Sequence, residues 1–477
     1  MKICVLLPDY SNSTVDYRHY DPPRILNQLL PDDEVVTVFL HKLTVYKQLK
    51  KLSKEGFDVF VNLCEGYLEW DVPSIEVIYY LELLELPFTG PTTLLYDPTK
   101  TLMKYVAFCA GVATPKFCLI QSSDESKTAI KSLQFPLFVK PAKAGDSLGI
   151  DEFSLVQNEM QLQKKVATIN EEYNEILVEE YIAGREFTVL VAANACGKTC
   201  TTFKPVEFIF PESNTFKTYT LKTSDLHTDA NVPVNDVELD NALRTAAASI
   251  FTAFNGEGYA RLDFRMNAEG KLFFLEINFT CSVFYTNGFE GSADYILYND
   301  GIGQAGFLQH IISEGIARHN RKQKKYTIKG NAIEGYGIYA TQPILKGEVI
   351  FKGEEKSQRI VTKKYVAANW NERAQLDFAR YAYPISNEVY ILWSDNPTDW
   401  APQNHSCSAN TGYVGLNVVA LQNIHNNEEL TLDYSNFLDE NAQPFDCQCG
   451  SAQCRGIISG AKNTTITNLK NDPIQFS

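Results

Sequence analysis

The chain opens with short apolar runs over residues 2–7, 35–40 and 59–63, separated by polar stretches and followed by a helical pattern over 73–84. Runs this short read as buried strands, and their alternation with a longer amphipathic stretch predicts an α/β layer. Pro87-Phe88-Thr89-Gly90-Pro91 breaks the pattern, and a helix carrying Lys100 follows. Further strands are expected within 135–141, 176–182, 260–264 and 275–278. Between the last two, Asn267-Ala268-Glu269-Gly270 is a turn signal that folds them into a hairpin. Residues 318–325 are basic and polar, as in a linker. Beyond it, Gly335 and Gly337 lead into another β-like run ending at Ala340.

Composition narrows the class. With 477 residues, 44% hydrophobic and 21% charged, the chain suits several globular domains. A net charge of −15 argues against nucleic acid as a direct partner and favours encounter with a lysine-rich one. No apolar run reaches the ~20 residues a bilayer requires, so no membrane partner is expected. The apolar stretch 3–7 is too short for a signal peptide. Eleven cysteines in this length are not disulfide density; a reducing compartment, the cytoplasm, fits.

Two constellations carry chemistry. In a strand, residues two apart share a face, so Arg261 pairs with Asp263 and Glu276 with Asn278. Folded as a hairpin, one face presents all four. Three oxygen ligands beside an arginine suit Mg²⁺ held on a triphosphate. Lys140, ending an apolar strand, can reach phosphates, and the glycine-bounded loop 144–149 with Ser147 can close over them. The second constellation is Cys447-x-Cys449-x4-Cys454 with Cys407 upstream. Zinc takes four ligands tetrahedrally, and Cys407 is the natural fourth thiolate.

The first set, in this order, resembles an ATP-grasp enzyme, most closely the D-alanine–D-alanine ligases, over about 2–317. The resemblance implies that Lys100 and Lys140 meet the phosphates of ATP, that Glu179, Glu180 and Ile182 lie along adenine, and that Glu186 meets the ribose. It places Lys222 at the phosphates or acceptor, two Mg²⁺ ions on Asp263, Glu276 and Asn278, and Arg261 at the tetrahedral intermediate. Such enzymes phosphorylate a carboxylate and let an amine attack the acyl phosphate. Three stretches depart from the family's pattern. The glycine-rich turn after the first strand is replaced by Pro8-Asp9-Tyr10-Ser11-Asn12-Ser13, a His-Gly pair by Cys64-Glu65-Gly66, and a Ser-Pro-Gly-Met turn by residues 279–284. The ATP half is thus kept and the amino-acid half rebuilt, which argues against D-alanyl-D-alanine synthesis.

The second set resembles the SET-domain lysine methyltransferases with a post-SET zinc motif, over about 326–458. The resemblance rests on Gly335-Tyr336-Gly337, Asn404-His405-Ser406-Cys407, Glu429-Leu430-Thr431-Leu432-Asp433-Tyr434 and the cysteines, in that order. It implies S-adenosylmethionine at Gly335, Tyr336, Gly337, Asn404 and His405, and Tyr434 on the methyl-transfer channel. Tyr381, Tyr383 and Tyr390 are further candidates for its wall.

The expected fold is therefore an α/β ATP-grasp region with α+β subdomains (1–95 and 96–318), a linker (319–326), a mostly-β SET domain (327–437), a post-SET zinc motif (438–460) and a tail (461–477). The expected chemistry is methylation of a lysine-containing protein or an amine-bearing small molecule, beside ATP-dependent ligation of an amino-acid-like carboxylate. Two alternatives stay open: a nucleotide-binding module that does not ligate, or two halves that tailor one small molecule. A dimer is compatible with the sequence.

Overall fold

The first strand, β1 (Lys2–Pro8), is buried along nearly its whole length, which is why its sequence is apolar without alternation. It pairs in parallel with β2 (Glu34–Leu40) on one edge and β3 (Val59–Asn62) on the other. Ile3, Val5 and Leu7 face Phe307, Leu308 and Ile311 of the helix Gly303–Lys322. On the opposite face, Cys4 and Leu6 meet Leu49, Val77 and Ile78 from the helices Val45–Leu52 and Ile75–Leu83. The period of two along the strand thus splits its side chains between two cores. These observations come from a computed structural model that describes residues 1–11, 21–66, 72–122, 125, 131–143, 149–210, 230–331, 335–353, 358–393, 403–439, 442 and 444–460.

Two antiparallel sheets follow. The smaller holds β4 (Phe117–Ile120), β5 (Leu137–Pro141), β6 (Leu155–Val156) and β7 (Ile176–Glu180), in the order β4-β7-β5-β6. The helix Glu159–Asn170 backs it with Leu162, Val166 and Ile169, a helical stripe, and Asn158 caps its N-terminus by accepting from the amide of Gln161. The larger holds β8 (Arg185–Ala193), β9 (Cys200–Thr202), β10 (Val206–Phe208), β11 (Asn231–Pro233), β12 (Tyr259–Met266) and β13 (Leu272–Asn278). Its order is β11-β10-β8-β12-β13, with β9 also on β8. Leu239, Leu243, Ala247 and Ile250 of the helix Val237–Ala253 close its core. The β12–β13 hairpin turns at Gly270, whose φ of 77° disfavours any side chain.

The chain divides into two compact units, Met1–Lys322 and Gln323–Ser477. The basic stretch read as a linker over 319–326 is helical as far as Lys322 and is strand again from Tyr326. Its His319, Arg321 and Lys322 lie in the last turn of the helix, where positive charge favours the helix dipole. The polar run is thus a helix terminus before it is a connection.

The second unit is built of short strands. A hairpin joins Tyr326–Asn331 to Gly335–Ala340. A five-stranded sheet runs in the order Val349–Phe351, Asn417–Ala420, Thr411–Val414, Thr431–Leu432, Asn404–His405, the last pair being parallel. Ile338, Ile344, Phe351, Val418, Ile424 and Leu430 form its core. A smaller core of Val366, Phe378, Tyr390 and Leu392 packs the helices Lys363–Asn369 and Glu372–Tyr381 on the sheet Gln358–Thr362, Val389–Trp393, Tyr383–Pro384. No helix among the described residues is long and apolar enough to cross a membrane.

Candidate functional sites

In the first unit, a cleft opens between the two antiparallel sheets. Phe138, Lys140, Glu179 and Tyr181 line it from the smaller sheet, with Ile182; Glu186, Asp263, Arg265 and Glu276 line it from the larger. The hairpin register sets Arg261 opposite Asn278 and Asp263 opposite Glu276, so the four side chains share one face. Arg261 donates from Nε and Nη2 to the two oxygens of Asp263 at 3.3 and 3.4 Å. Lys100, at the start of the helix Lys100–Cys109, pairs with Glu276 at 3.2 Å. Glu186 accepts from Nε of Arg265 at 3.1 Å, and Arg265 also donates to the carbonyl of Ile182 at 2.8 Å. Phe138 and Tyr181 stack at 6.3 Å, forming an aromatic wall. Glu180 also lines the cleft, and its carboxylate accepts from the amide of Gln134 at 3.0 Å.

Lys140 is not alone at the end of β5. Its ammonium lies 2.6 Å from one oxygen of Glu179, and Lys104 lies 2.6 Å from the other. Burial alone would raise the Glu179 carboxyl, but the two ammonium groups overcome it and hold it down at about 2. Lys104 was missed in the sequence. Its signal was a spacing of four from Lys100, which puts both lysines on one helix face. Ser147 and Lys222 lie outside the described residues.

In the second unit, Asn404 donates from Nδ2 to the carbonyl of Tyr336 at 2.9 Å and to Glu429 at 2.8 Å. Gly337 passes so close that a Cβ there would sit 2.2 Å from Oε1 of Glu429. A side chain there would push the Glu429 carboxylate aside, and the motifs at 335–337, 404 and 429 meet in one place. His405 accepts the amide of Tyr434 on Nδ1 at 3.1 Å. Burial lowers its pKa, so the neutral ring keeps its proton on Nε2, 3.4 Å from the sulfur of Cys407.

Tyr434 donates its hydroxyl to the carbonyl of Gln403 at 2.5 Å. Its ring meets Phe437 at 5.4 Å, and Phe437 meets Tyr383 at 5.8 Å and Tyr413 at 5.2 Å. Tyr413, on a short strand, was missed; burial pushes its pKa up, so it stays neutral. Tyr390 packs on Phe378 at 5.0 Å and donates to Asp439, in the smaller core rather than in this group. Of Tyr381 only the backbone, at the end of its helix, is described.

Cys407, Cys447, Cys449 and Cys454 bring their sulfurs within 4.8 Å of one another. A tetrahedron of ~2.3 Å zinc–sulfur bonds has edges of about 3.8 Å. Cys407 and Cys447 stand 3.8 Å apart, and the donor set fits zinc. Arg455 fastens this knot: its amide donates to the sulfur of Cys407, its Nη1 to Ser435 at 2.7 Å and its Nη2 to Asp433.

Residues 107–286 match the model of the D-Ala D-Ala ligase C-terminus, and residues 335–435 match the SET domain. A D-alanine–D-alanine ligase of Bacillus velezensis is 30% identical over 255 residues, covering 51% of this chain and 68% of that protein. The chain belongs to the D-alanine–D-alanine ligase family, with a SET domain following. Ligase B of Pseudomonas syringae is 32% identical over 203 residues, 42% of this chain; the chain spans 60% of that relative's length. The crystal structure of the ligase from Bacillus anthracis complexed with ATP aligns over 68% of this chain and 99% of its own, at 18% identity and a TM-score of 0.48. By the matches to the family models, the ligase-family unit has an ATP-grasp-like α/β architecture, and both matched domains are of enzyme families, ATP-grasp ligases and SET methyltransferases.

Proposed function

We propose that the SET domain transfers a methyl group from S-adenosylmethionine to a lysine or other amine, and that the ligase-family unit joins a carboxylate to an amine at the expense of ATP. The methyl-transfer reading is carried by Tyr434, whose hydroxyl is pinned to the Gln403 carbonyl within a group of rings including Tyr383, Tyr413 and Phe437. A lysine amine has a reference pKa near ~10.4 and must lose a proton before it attacks. A desolvating aromatic wall favours the neutral amine, and fixed tyrosines orient it. Gly335, Tyr336, Gly337, Asn404 and His405 would hold S-adenosylmethionine, which supplies an electrophilic methyl group. Cys407, Cys447, Cys449 and Cys454 would hold zinc in a structural role.

In the ligase-family unit, Lys100 and Lys140 would bind phosphates. The backbone from Glu179 to Ile182 would bind adenine, and Glu186 the ribose. Asp263, Glu276 and Asn278 would hold Mg²⁺, which neutralises charge on the transferred phosphoryl group. Arg261 would steady the oxyanion that forms as an amine adds to the acyl phosphate. A second reading, nucleotide binding without ligation, draws on the rebuilt stretches at 8–13, 64–66 and 279–284. The proposed partners are a lysine-containing protein or an amine-bearing metabolite and an amino-acid-like carboxylate, met in the cytoplasm.

One experiment tests both halves. Methyl-labelled S-adenosylmethionine is supplied to the full chain with cell extract, with and without Mg-ATP, and labelled products are separated by size. Label in proteins regardless of ATP supports a protein methyltransferase beside an independent ATP module. Label in small molecules only with ATP means that the halves act in sequence on one metabolite. No label in either fraction sinks the methyl-transfer reading.

A further inference from the structure

Arg265 belongs to none of the sequence motifs, yet it holds a central place on the floor of the cleft. The register of β8 and β12 sets it directly opposite Glu186. It stands two residues, about 7 Å, beyond Asp263 on the same face of β12. Arginine is rarely buried, but this side chain is only 3% exposed, beside a Glu186 that is 7% exposed. Its guanidinium lies 4.8 Å from the ring centre of Tyr181 and 5.7 Å from that of Phe210, so two aromatic faces hold its position.

The fork of that guanidinium is divided between two acceptors. Nε donates to Oε2 of Glu186 at 3.1 Å, and Nη1 donates to the carbonyl of Ile182 at 2.8 Å. One cation therefore ties a carboxylate of the larger sheet to the segment that joins the two sheets. A buried carboxylate is costly unless a cation stands against it, and Arg265 is that cation. Without it Glu186 is left to the other positive charges of the cleft, and Lys140 already feels its field. A Glu186 drawn toward Lys140 is lost as an acceptor for a neutral ligand group. Lysine is no substitute for arginine here, because an ammonium is a point charge on a flexible stem and does not fix the plane of a carboxylate.

We infer that Arg265 sets the sugar selectivity of the cleft: by fixing Glu186 it makes that carboxylate an acceptor for the 2′-hydroxyl of a ribonucleoside triphosphate. The inference rests on the nucleotide-binding reading of this unit and narrows its ligand class to ribonucleotides over 2′-deoxyribonucleotides. Arg265 is a positioning residue, since it acts through Glu186. A hydroxyl that donates to a charged acceptor makes one of the stronger hydrogen bonds. A buried acceptor left unpaired in turn rejects the analogue that lacks the hydroxyl. Because the same guanidinium holds the carbonyl of Ile182, its loss loosens the sugar-facing carboxylate and the segment proposed to face adenine together.

The test is calorimetric titration of the full chain with ATP and with 2′-deoxyATP, Mg²⁺ being present in both. ATP is expected to bind about tenfold more tightly, the effect of one hydrogen bond to a charged group. Arg265→Met keeps much of the apolar bulk and should bring the two affinities within about twofold of each other. Arg265→Lys keeps the charge without the fork, and the preference should fall to about threefold. The lysine variant carries the test if the methionine variant fails to fold, as judged by thermal melting. Glu186→Gln alone should remove the same preference and the double variant no more, since both changes act on one contact. A merely structural arginine weakens the binding of ATP and 2′-deoxyATP alike. An unchanged ratio in the variants therefore overturns the inference, as does equal binding of the two nucleotides by the wild type. Failure of the wild type to bind either nucleotide overturns the nucleotide-binding reading instead.

Discussion

The two candidate sites are held in place by different means. In the ligase-family unit, the functional side chains stand on strands of up to nine residues whose ladders fix their spacing. In the SET domain, Asn404 and His405 stand on a two-residue strand, and Thr431–Leu432 beside it is no longer. Short ladders fix little, so side chains take over: Asn404 to Tyr336 and Glu429, His405 to Tyr434, Arg455 to Asp433 and Ser435. The four thiolates then close the tail of the unit. A site on long strands tolerates the loss of one bond; a site tied by side chains depends on each knot.

The largest break in that comparison is metal removal. Chelation, or Cys449→Ser, is expected to abolish methyl transfer, because structural zinc contributes about 10–16 kcal/mol in comparable small sites. Nucleotide affinity of the same protein should stay within about twofold. Both are read on one sample by label transfer and fluorescent-nucleotide titration, and methyl transfer that survives chelation ends the zinc assignment. Next comes Tyr434→Phe, expected to lower the methyl-transfer rate about a hundredfold with folding intact, by analogy with losing one oriented polar group at a reacting centre. An undiminished rate removes Tyr434 from the catalytic role.

Smaller effects sharpen the ligase side. Lys104→Met leaves Glu179 with one cation instead of two. Breaking a buried pair costs about 3–5 kcal/mol at its upper range, so we expect a lower melting temperature and nucleotide affinity reduced about tenfold. Lys140→Ala with unaltered ATP affinity would sink the nucleotide site. The smallest effect is on pH. Glu179 is held below its ordinary value of 4.5, so its contribution to stability is present above about 4.5 and is lost as pH falls toward about 2. Glu65 is shifted the other way, so its ionisation works against folding; stability rises as pH falls from about 7 toward 4.5. Thermal melts of wild type and Glu65→Gln separate the two, since only the second change should vanish in the variant.

Local periodicity made the acidic hairpin legible: Arg261, Asp263, Glu276 and Asn278 share a face because a strand repeats every two residues and the turn at 267–270 fixes the register. The cysteine set was legible from spacing. Lys104 was not, because helical neighbours matter only once the buried face is known. The meeting of Arg24, Glu65 and Ser282, where Glu65 accepts from both of its neighbours, was illegible for a stronger reason: no local rule brings together segments more than 200 residues apart, as Glu65 and Ser282 are. Tyr413 and Tyr390 show the same limit, since a tyrosine on a short strand carries no mark of which core it will join.

Arg455 sets one genetic expectation. It follows the last cysteine of the zinc set and is fastened to Asp433 and Ser435, the residues that flank Tyr434. A premature stop just before codon 454 would spare every residue of the nucleotide cleft and Tyr434 itself, yet remove both the fourth thiolate and this fastening. Such an allele should behave as a separation-of-function mutation, defective in methyl transfer and intact for nucleotide binding.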